Sequence, residues 1–508
     1  MEPIMGFNSF KFILLFLPLL LLGWNLLNNR RLYRAADFFV ILMSLYYYYT
    51  FGAQFFWILL FSIFVNYGLS FIVEKKRDLR KAVKVIGVLF NLSLLFYFKY
   101  LGFFVDNLSA ITGKALSVQD IIMPIGISFF TFGQISFIVD RANGEAPHYP
   151  LCQYAMYTVY FPKLIQGPIA FHKEMIDQFK DEAKRRFDSD TFARGMMSFT
   201  IGLGKKVILA DTLAGSVNYG FHYTYFMDTL TIIAVMLAYT FQIYLDFSGY
   251  CDMANGVSMM LGIRLPDNFN SPYKAKSSKE LWQRWHMTLS RFFIKYVYIP
   301  LGGSRKGKIR TVLNVLIVFI ISGLWHGAGW TYICWGFMQG LLVVWDDLGI
   351  VAVDYGDDRK RKYLLREKPL FVVPGYLGNA MTFIMFVISL VFFRSQDMKY
   401  AIQMFKQFFF FTYPGFLYRT ASQMKIAENY VPRQILTMLH VQGGDDIVYL
   451  ATMIIFLAVS GFIMTRKNTK EIVESTDFGF KTVLGLSVIF VWSFISLSDV
   501  STFIYFQY

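Results

Sequence analysis

The sequence is poor in charge: only 16% of its 508 residues are Asp, Glu, Lys or Arg. Soluble domains carry about 25% charged residues. Runs of about 20 apolar residues recur along the whole length, and runs of that length suit membrane-spanning helices. The scarcity of charge therefore excludes an ordinary soluble protein and predicts an all-α polytopic membrane protein.

Motifs of several enzyme classes are also missing. The three cysteines, Cys152, Cys251 and Cys334, are too far apart to form a CxxC pair, and we expect buried free thiols. No GxxxxGK[ST] nucleotide loop, GxSxG elbow or HExxH zinc helix occurs in the sequence. We therefore expect neither a bound metal nor a permanently bound cofactor.

The net charge of +15 comes from Lys and Arg residues that concentrate between the apolar runs. In a soluble protein this excess would favour nucleic acid. In a membrane protein the positive-inside rule accounts for it, so we expect a lipid bilayer and no nucleic acid as partner. The basic loops are residues 74–84, 172–186, 264–310, 359–368 and 466–470.

About 11–12 transmembrane helices are expected, with spans starting near residues 8, 36, 54, 84, 121, 195, 228, 311, 330, 377, 447 and 482. This arrangement places every basic loop on the cytoplasmic side and makes the first apolar run an uncleaved helix. The segment 151–170 contains two prolines and a glycine, which predicts a bent or re-entrant element. Without repeats or linkers, the chain is expected to form a single membrane domain over 1–508, with short helices in the loops 346–376 and 396–446.

The stretch "SGLWHGAGW", residues 322–330, places His326 beside Trp325 between two apolar runs. The preceding apolar segment from Thr311 has about 15 residues, or roughly 22 Å of helix, against a hydrocarbon core of about 30 Å. His326 is therefore expected inside the membrane, on a glycine-rich turn. An ionisable side chain at that depth is costly, so it is either a functional group or a structural histidine bonded to a neighbouring carbonyl.

A second stretch, residues 277–307, is predicted to form a helix with a serine N-cap and an end at Pro300. Trp282, His286 and Ser290 would then share one helix face at a spacing of four residues. That face could present an imidazole and a hydroxyl to a reaction centre, or the histidine could be structural.

The other face of this predicted helix is cationic. Arg284, Arg291 and Lys295 would lie on it, and Arg305 and Lys306 follow in the basic turn "PLGGSRKG". Such side chains hold either anionic lipid headgroups or the phosphates of a substrate at the cytoplasmic boundary.

A third stretch, "YTFQIYLDFSGYCDMANG", residues 239–256, contains Asp246 at the end of an apolar run, before a predicted break at "FSGY". A carboxylate in apolar surroundings needs a partner. Asp246 would orient a histidine, bond backbone amides of the break, or serve only as a structural cap.

Together these stretches resemble the membrane-bound O-acyltransferase family, and within it the bacterial alginate O-acetyltransferase branch, which also serves O-acetylation of peptidoglycan and other exported polysaccharides. The resemblance extends from the first apolar run to the terminal "FIYFQY". Its motifs are "MPIGISFFTFGQISFIVD", "FPKLIQGPI", "YLDFSGYCDMANG", "RWHMTLSRF", "YIPLGGSRKG" and "WHGAGW".

The resemblance implies that His326 is the catalytic histidine and that His286 is the second conserved polar residue. We expect supporting or orienting roles for Asp246, Trp325, Trp282 and Ser290. The family fold would be a ring of tilted helices, in which a cytoplasmic tunnel meets an outer funnel.

The resemblance further implies a bacterial inner-membrane enzyme that takes an acetyl group from cytoplasmic acetyl-CoA. We expect the phosphates of this donor near Arg284, Arg291, Lys295 and the 305–310 cluster. His326 would act as a general base or accept the acetyl group itself. The acceptor would be an exported or cell-wall polysaccharide, reached directly or through an extracytoplasmic acyltransferase or esterase-like partner protein.

Two alternatives remain at this stage. One is the transfer of D-alanine, or another acyl group, from a carrier protein to teichoic acid. The other is a transporter or flippase without covalent chemistry. Transporters often contain two related halves with broken helices in matching positions, and this sequence has no such repeat.

Overall fold

The computed structural model describes residues 5–356, 363–412, 415–424 and 426–499, apart from the side chains of Arg77, Ser498 and Asp499. The terminal motif "FIYFQY" and part of the basic loop 359–368 lie outside the described residues. Over these ranges helices predominate, which confirms the predicted all-α fold. A parallel pair of three-residue strands, Val351–Val353 and Phe371–Val373, interrupts them.

The α-helices are Leu17–Asn29, Tyr33–Tyr49, Ala53–Lys75, Arg80–Leu95, Leu101–Thr112, Ile127–Asn143, Leu151–Val159, Phe161–Leu164, His172–Lys180, Ser189–Gly204, Asp211–His222, Thr229–Met260, Ser278–Arg284, Met287–Phe293, Lys308–His326, Trp330–Leu348, Gly375–Arg394, Met398–Gln407, Gly415–Ala421, Tyr430–Met438, Gly444–Thr465, Thr469–Ser475 and Phe480–Ile495. Turns of π-helix extend or join several of them, at Phe12–Phe16, Phe96–Tyr100, Lys205–Ala210 and Ile294–Tyr298.

A helix lies at or near each of the twelve predicted spans. Seven are long and apolar enough to cross a membrane: Phe12–Asn29, Ala53–Lys75, Arg80–Thr112, Thr229–Met260, Lys308–His326, Gly375–Arg394 and Gly444–Thr465. The other five contain 16–19 residues: Tyr33–Tyr49, Ile127–Asn143, Ser189–Gly204, Trp330–Leu348 and Phe480–Ile495. A helix of about 16 residues reaches only about 24 Å, so length and composition support seven spans, and the count of 11–12 stays a prediction.

The described chain folds into two compact units, each assembled from separated segments. The first unit contains the residues up to Leu203 together with Tyr250–Asp267 and Val473–Leu497. The second unit contains Gly204–Gly249 and Asn268–Ile472. The single domain over 1–508 stays a prediction.

Amide side chains join three helices inside the first unit. Ser62, Asn66, Asn91 and Gln134 are all fully buried. The Ser62 hydroxyl donates to Gln134 Oε1 at 2.8 Å, and Asn91 Nδ2 donates to Asn66 Oδ1 at 2.7 Å. Because apolar surfaces give helices little reason to associate within lipid, such interhelical hydrogen bonds hold these helices together.

Two predictions about connecting segments have clear outcomes. The break predicted in 151–170 is confirmed, because the helices Leu151–Val159 and Phe161–Leu164 meet at a bend. The short helices predicted in 396–446 are also present. The loop 346–376 is different: its described part contains the strand pair, because Val351–Val353 and Phe371–Val373 are β-branched and aromatic sequences that favour strands.

Six helices surround the candidate site and are labelled α1 (Thr229–Met260), α2 (Ser278–Arg284), α3 (Met287–Phe293), α4 (Lys308–His326), α5 (Trp330–Leu348) and α6 (Gly375–Arg394). The predicted break at "FSGY" was wrong, since α1 continues through it. A single glycine is tolerated within a helix, and the surrounding apolar residues of α1 are buried.

Helices α4 and α5 approach each other backbone to backbone. A Cβ atom added at Gly323 would lie 2.2 Å from the carbonyl oxygen of Tyr332, and one at Gly336 would lie 2.3 Å from that of Phe319. Only glycine allows this approach, as in other close helix pairs of membrane proteins. The crossing fixes the last turn of α4, and that turn carries His326.

Candidate active site

His326 is the last residue of α4, and only 4% of its surface is exposed. The helix ends there because Gly327 has an extended backbone, and a Cβ at Gly327 would lie only 2.1 Å from the Tyr332 ring. The ring of His326 lies among aromatic side chains, with ring centroids at 4.8 Å for Trp325, 5.2 Å for Trp335 and 5.1 Å for Phe393. The predicted glycine-rich turn thus positions a buried imidazole in an aromatic pocket.

His286 lies at a break between α2 and α3, which corrects the prediction of a continuous helix over 277–299. Trp285 is extended, and His286 has a left-handed backbone with φ of 43°. The backbone of Asn268 stabilises the break, because the Met287 N–H donates to the Asn268 carbonyl oxygen at 3.0 Å. Left-handed conformations are unfavourable for residues with a Cβ and persist where the surrounding structure enforces them.

The hydrogen bonds of Asn268 define the protonation of His286. Asn268 Oδ1 lies 3.0 Å from His286 Nδ1, and it also accepts from the Thr288 hydroxyl at 2.9 Å and from the Thr288 backbone N–H. A backbone N–H can only donate, so this atom is the amide oxygen and His286 Nδ1 carries a proton. Burial lowers the pKa of His286 to about 3, so the ring is neutral and Nε2 keeps a lone pair.

His286 Nε2 is buried and has no hydrogen-bond partner among the described residues. The His286 ring centroid lies 6.5 Å from that of His326 and 6.0 Å from that of Trp325. Phe247, on α1, packs edge-on against His286 at 4.8 Å. The structure therefore brings the two predicted histidines together and presents a proton acceptor beside His326.

Trp282 and Ser290 serve this geometry indirectly, because the break removes them from the face predicted to include His286. The Ser290 hydroxyl donates to the backbone carbonyl of Trp282 at 3.2 Å, which connects α3 to α2. The Trp282 indole N–H donates to Gln339 Oε1 at 3.1 Å, and Gln339 Nε2 donates to the Ser389 hydroxyl at 2.6 Å. This chain of hydrogen bonds joins α2, α5 and α6 beside the aromatic pocket, since Trp282 lies 5.8 Å from Trp335.

Asp246 forms an ion pair with Lys206, at 2.6 Å between carboxylate and ammonium. Lys206 is fully buried and also contacts the Asp211 carboxylate at 2.8 Å. Asp246 is therefore engaged by a cation, and its predicted role as the group that orients a histidine stays a prediction. Phe247, the next residue, contacts His286, so the ion pair helps to hold α1 against the site.

The predicted cationic face is divided by the break in the helix. Arg284 forms an ion pair with Glu280 at 2.8 Å and donates to the Asn270 carbonyl oxygen. Lys295 lies 5.2 Å from the Tyr296 ring centroid. Side chains of the predicted phosphate-binding set are half-buried at Arg284, Arg291 and Lys295 and exposed at Arg305 and Lys306. Binding of phosphate by these side chains stays a prediction.

The sequence reasoning missed Asn268, Lys206 and Trp335. Lys206 belongs to "GLGKK", residues 202–206, and a lysine beside an apolar run could have indicated a buried ion pair. Trp335 follows His326 by nine positions in an apolar helix and gives no signal of its own. Asn268 is linked to His286 only through the fold.

Two buried imidazoles lie side by side on an apolar, helical chain, and ionisable side chains in such surroundings are candidates for function. The model of the membrane-bound O-acyltransferase family matches residues 41–366, which is more than half of the chain. The protein belongs to this family, and it is therefore a multi-pass membrane acyltransferase.

Curated relatives agree with this membership. The chain is 31% identical to the peptidoglycan O-acetyltransferase of Helicobacter pylori, over 99% of this chain and 97% of the relative. It is 36% identical to the probable alginate O-acetylase AlgI of Pseudomonas aeruginosa, over 80% of this chain and 75% of the relative. The teichoic acid D-alanyltransferase of Streptococcus thermophilus is 27% identical over 54% of this chain and 69% of the relative.

Proposed function

We propose that the protein transfers an acetyl group from cytoplasmic acetyl-CoA to hydroxyl groups of an exported or cell-wall polysaccharide, and that it acts in the bacterial inner membrane. The proposal is supported by the relatives that are named as O-acetyltransferases of polysaccharides. The observation that carries it is the neutral His286 with a buried, unpartnered Nε2 beside His326.

The arrangement fits acyl transfer to an alcohol. An acceptor hydroxyl can donate its hydrogen bond to His286 Nε2, which orients its oxygen toward the thioester carbon. As the oxygen attacks, the hydroxyl proton turns from His286 Nε2 to the His326 imidazole, which takes it as a general base. In the other route His326 first accepts the acetyl group, and the hydroxyl that receives this group gives its proton to His286 Nε2. In either route the C–S bond breaks, and the thiol leaves with a proton.

Donor and acceptor belong to opposite sides of the membrane in this proposal. The exposed Arg305 and Lys306, in the turn that precedes α4, would attract the phosphates of acetyl-CoA from the cytoplasm. The polysaccharide would receive the acetyl group directly, or through an extracytoplasmic partner protein of the acyltransferase or esterase type.

Inverted membrane vesicles from the producing bacterium test this function, because their outer face is the cytoplasmic one. Acetyl-CoA labelled in the acetyl group is added outside, and base-labile label is measured in luminal polysaccharide. We expect labelled ester with the wild-type protein and none with His326→Ala. Unlabelled polysaccharide, with intact wild-type protein in the membrane, would contradict the proposal.

The second candidate is D-alanyl transfer, which is favoured by the relatives that are named teichoic acid D-alanyltransferases. The same vesicles separate the two functions. A carrier protein loaded with labelled D-alanine is supplied in place of acetyl-CoA. If label is transferred from this carrier and none is transferred from acetyl-CoA, the function is D-alanyl transfer.

A further inference from the structure

Trp335 is a buried tryptophan whose indole N–H has no hydrogen-bond partner among the described residues. We propose that this N–H donates a hydrogen bond to the carbonyl oxygen of the acyl donor and stabilises the negative charge that develops there during transfer. Trp335 would then be a catalytic residue. This inference rests on the proposed function, because it assigns a group to the same reaction.

The position of Trp335 suits this role. Its ring centroid lies 5.2 Å from that of His326, with the two ring planes at 89°. Phe393 packs against both rings, at 4.9 Å from Trp335 and 5.1 Å from His326. When the acyl carbon of the donor reacts at or beside His326, its carbonyl oxygen therefore lies close to the Trp335 indole.

A second tryptophan in the same aromatic cluster has a paired indole N–H and provides a comparison for Trp335. Trp282 lies 5.8 Å from Trp335, and its N–H donates to Gln339 on α5, the helix that also carries Trp335. Buried donors are nearly always paired, since an unmet N–H loses its bonds to water without compensation. Where such a donor persists beside a reactive imidazole, a substrate oxygen is its natural partner.

Two of the buried polar atoms near His326 that lack a hydrogen-bond partner among the described residues are complementary. His286 Nε2 is an acceptor, and Trp335 Nε1 is a donor. Acyl transfer brings a hydroxyl that must donate and a carbonyl oxygen that must accept. When the nucleophile bonds to the carbonyl carbon, the π electron pair moves to the oxygen, and a fixed donor stabilises it. When that pair returns, the C–S bond breaks and the thiol leaves with the proton taken from the nucleophile.

The test replaces Trp335 by 3-benzothienylalanine, which keeps the bicyclic shape and has sulfur in place of N–H. Acetyl transfer is measured in the vesicles described above. We expect kcat to fall by about 10²-fold with KM changed by less than about twofold, because donors to a developing oxyanion contribute on the order of 10²–10³ to kcat. The apparent melting temperature should not fall, since no hydrogen bond within the protein is lost.

Trp282 provides the matched control. Its replacement by 3-benzothienylalanine removes the hydrogen bond to Gln339, so the melting temperature should fall while kcat declines far less than in the Trp335 variant. Trp335→Phe is a second probe for the case that the analogue fails to incorporate, and the same loss of kcat is expected.

The result that would overturn the inference is wild-type kcat in a folded Trp335 variant that lacks the N–H. A lower melting temperature together with unchanged kcat would assign Trp335 a purely structural role. If the wild-type protein itself transfers no acetyl group, the proposed function fails, and that outcome is distinct because it precedes any comparison of variants.

Discussion

The second unit contains two buried polar groups of opposite character. In the ion group, Lys206 lies between the carboxylates of Asp211 and Asp246, so each charge has a counter-charge within 2.8 Å. In the histidine group, His286 Nε2 and Trp335 Nε1 lack hydrogen-bond partners among the described residues. The difference teaches that burial alone does not mark a reactive site. The ion group is paired within the protein and holds helices together, whereas the histidine group has a donor and an acceptor that the proposed reaction would use.

The largest effect on activity is expected in the histidine group. His326→Ala removes the general base or acyl carrier, and we predict a loss of acetyl transfer of about 10²–10⁴-fold or more. The measurement is the labelled-ester assay in vesicles. His222→Ala, at an exposed histidine, is the control and should leave transfer unchanged. If His326→Ala retained activity, the histidine group would have no catalytic role, and the contrast with the ion group would fail.

The largest effect on stability is expected in the ion group. Lys206→Met leaves two buried carboxylates without their cation, which we predict to cost about 3–5 kcal/mol of unfolding free energy. Thermal unfolding of the purified protein in detergent measures this loss. The double variant Lys206→Met with Asp246→Asn should recover part of it, because one buried charge is removed. An unaffected melting temperature in Lys206→Met would show that the ion group does not hold the helices.

Asn268 offers a sharper probe, because it acts on His286 and not on substrate. Asn268→Leu removes the acceptor for His286 Nδ1, so the proton is free to occupy Nε2 and the acceptor beside His326 is lost. We predict at least a tenfold lower kcat, which corresponds to about 1.4 kcal/mol. Asn268→Asp retains an oxygen at this position and should restore most activity. Equal losses in both variants would contradict the tautomer assignment.

The smallest effect on activity is expected in the hydrogen-bond chain beside the aromatic pocket. Ser389→Ala removes the acceptor of Gln339 Nε2, which we predict to destabilise the protein by about 1–3 kcal/mol. Acetyl transfer at saturating donor should stay within about twofold of the wild type, since Trp282 keeps its bond to Gln339 Oε1. If Ser389→Ala lowered kcat strongly without loss of stability, these hydrogen bonds would serve catalysis, as the histidine group is proposed to do.

Sequence reasoning succeeded where a local pattern carries the information. The turn after His326 and the serine N-cap of α2 are both as predicted, and the cap is Ser277, whose side chain accepts from the Glu280 N–H. The prediction of one continuous helix, which followed from the spacing of apolar and basic residues, was wrong at residues 285–286. The backbone of Asn268, 18 residues earlier, enforces a break there that no local propensity indicates.

The amino-acid sequence by itself determined that the chain is an apolar helical protein, that glycines follow His326, and that His286 and His326 lie in short motifs between apolar segments. Those features depend on the composition and spacing of neighbours along the chain. Only the tertiary structure decided that Lys206 pairs with Asp246, that Asn268 fixes the proton of His286, and that no described residue accepts the N–H of Trp335. Pairing of buried polar atoms depends on distances between helices, and a linear sequence does not encode those distances locally.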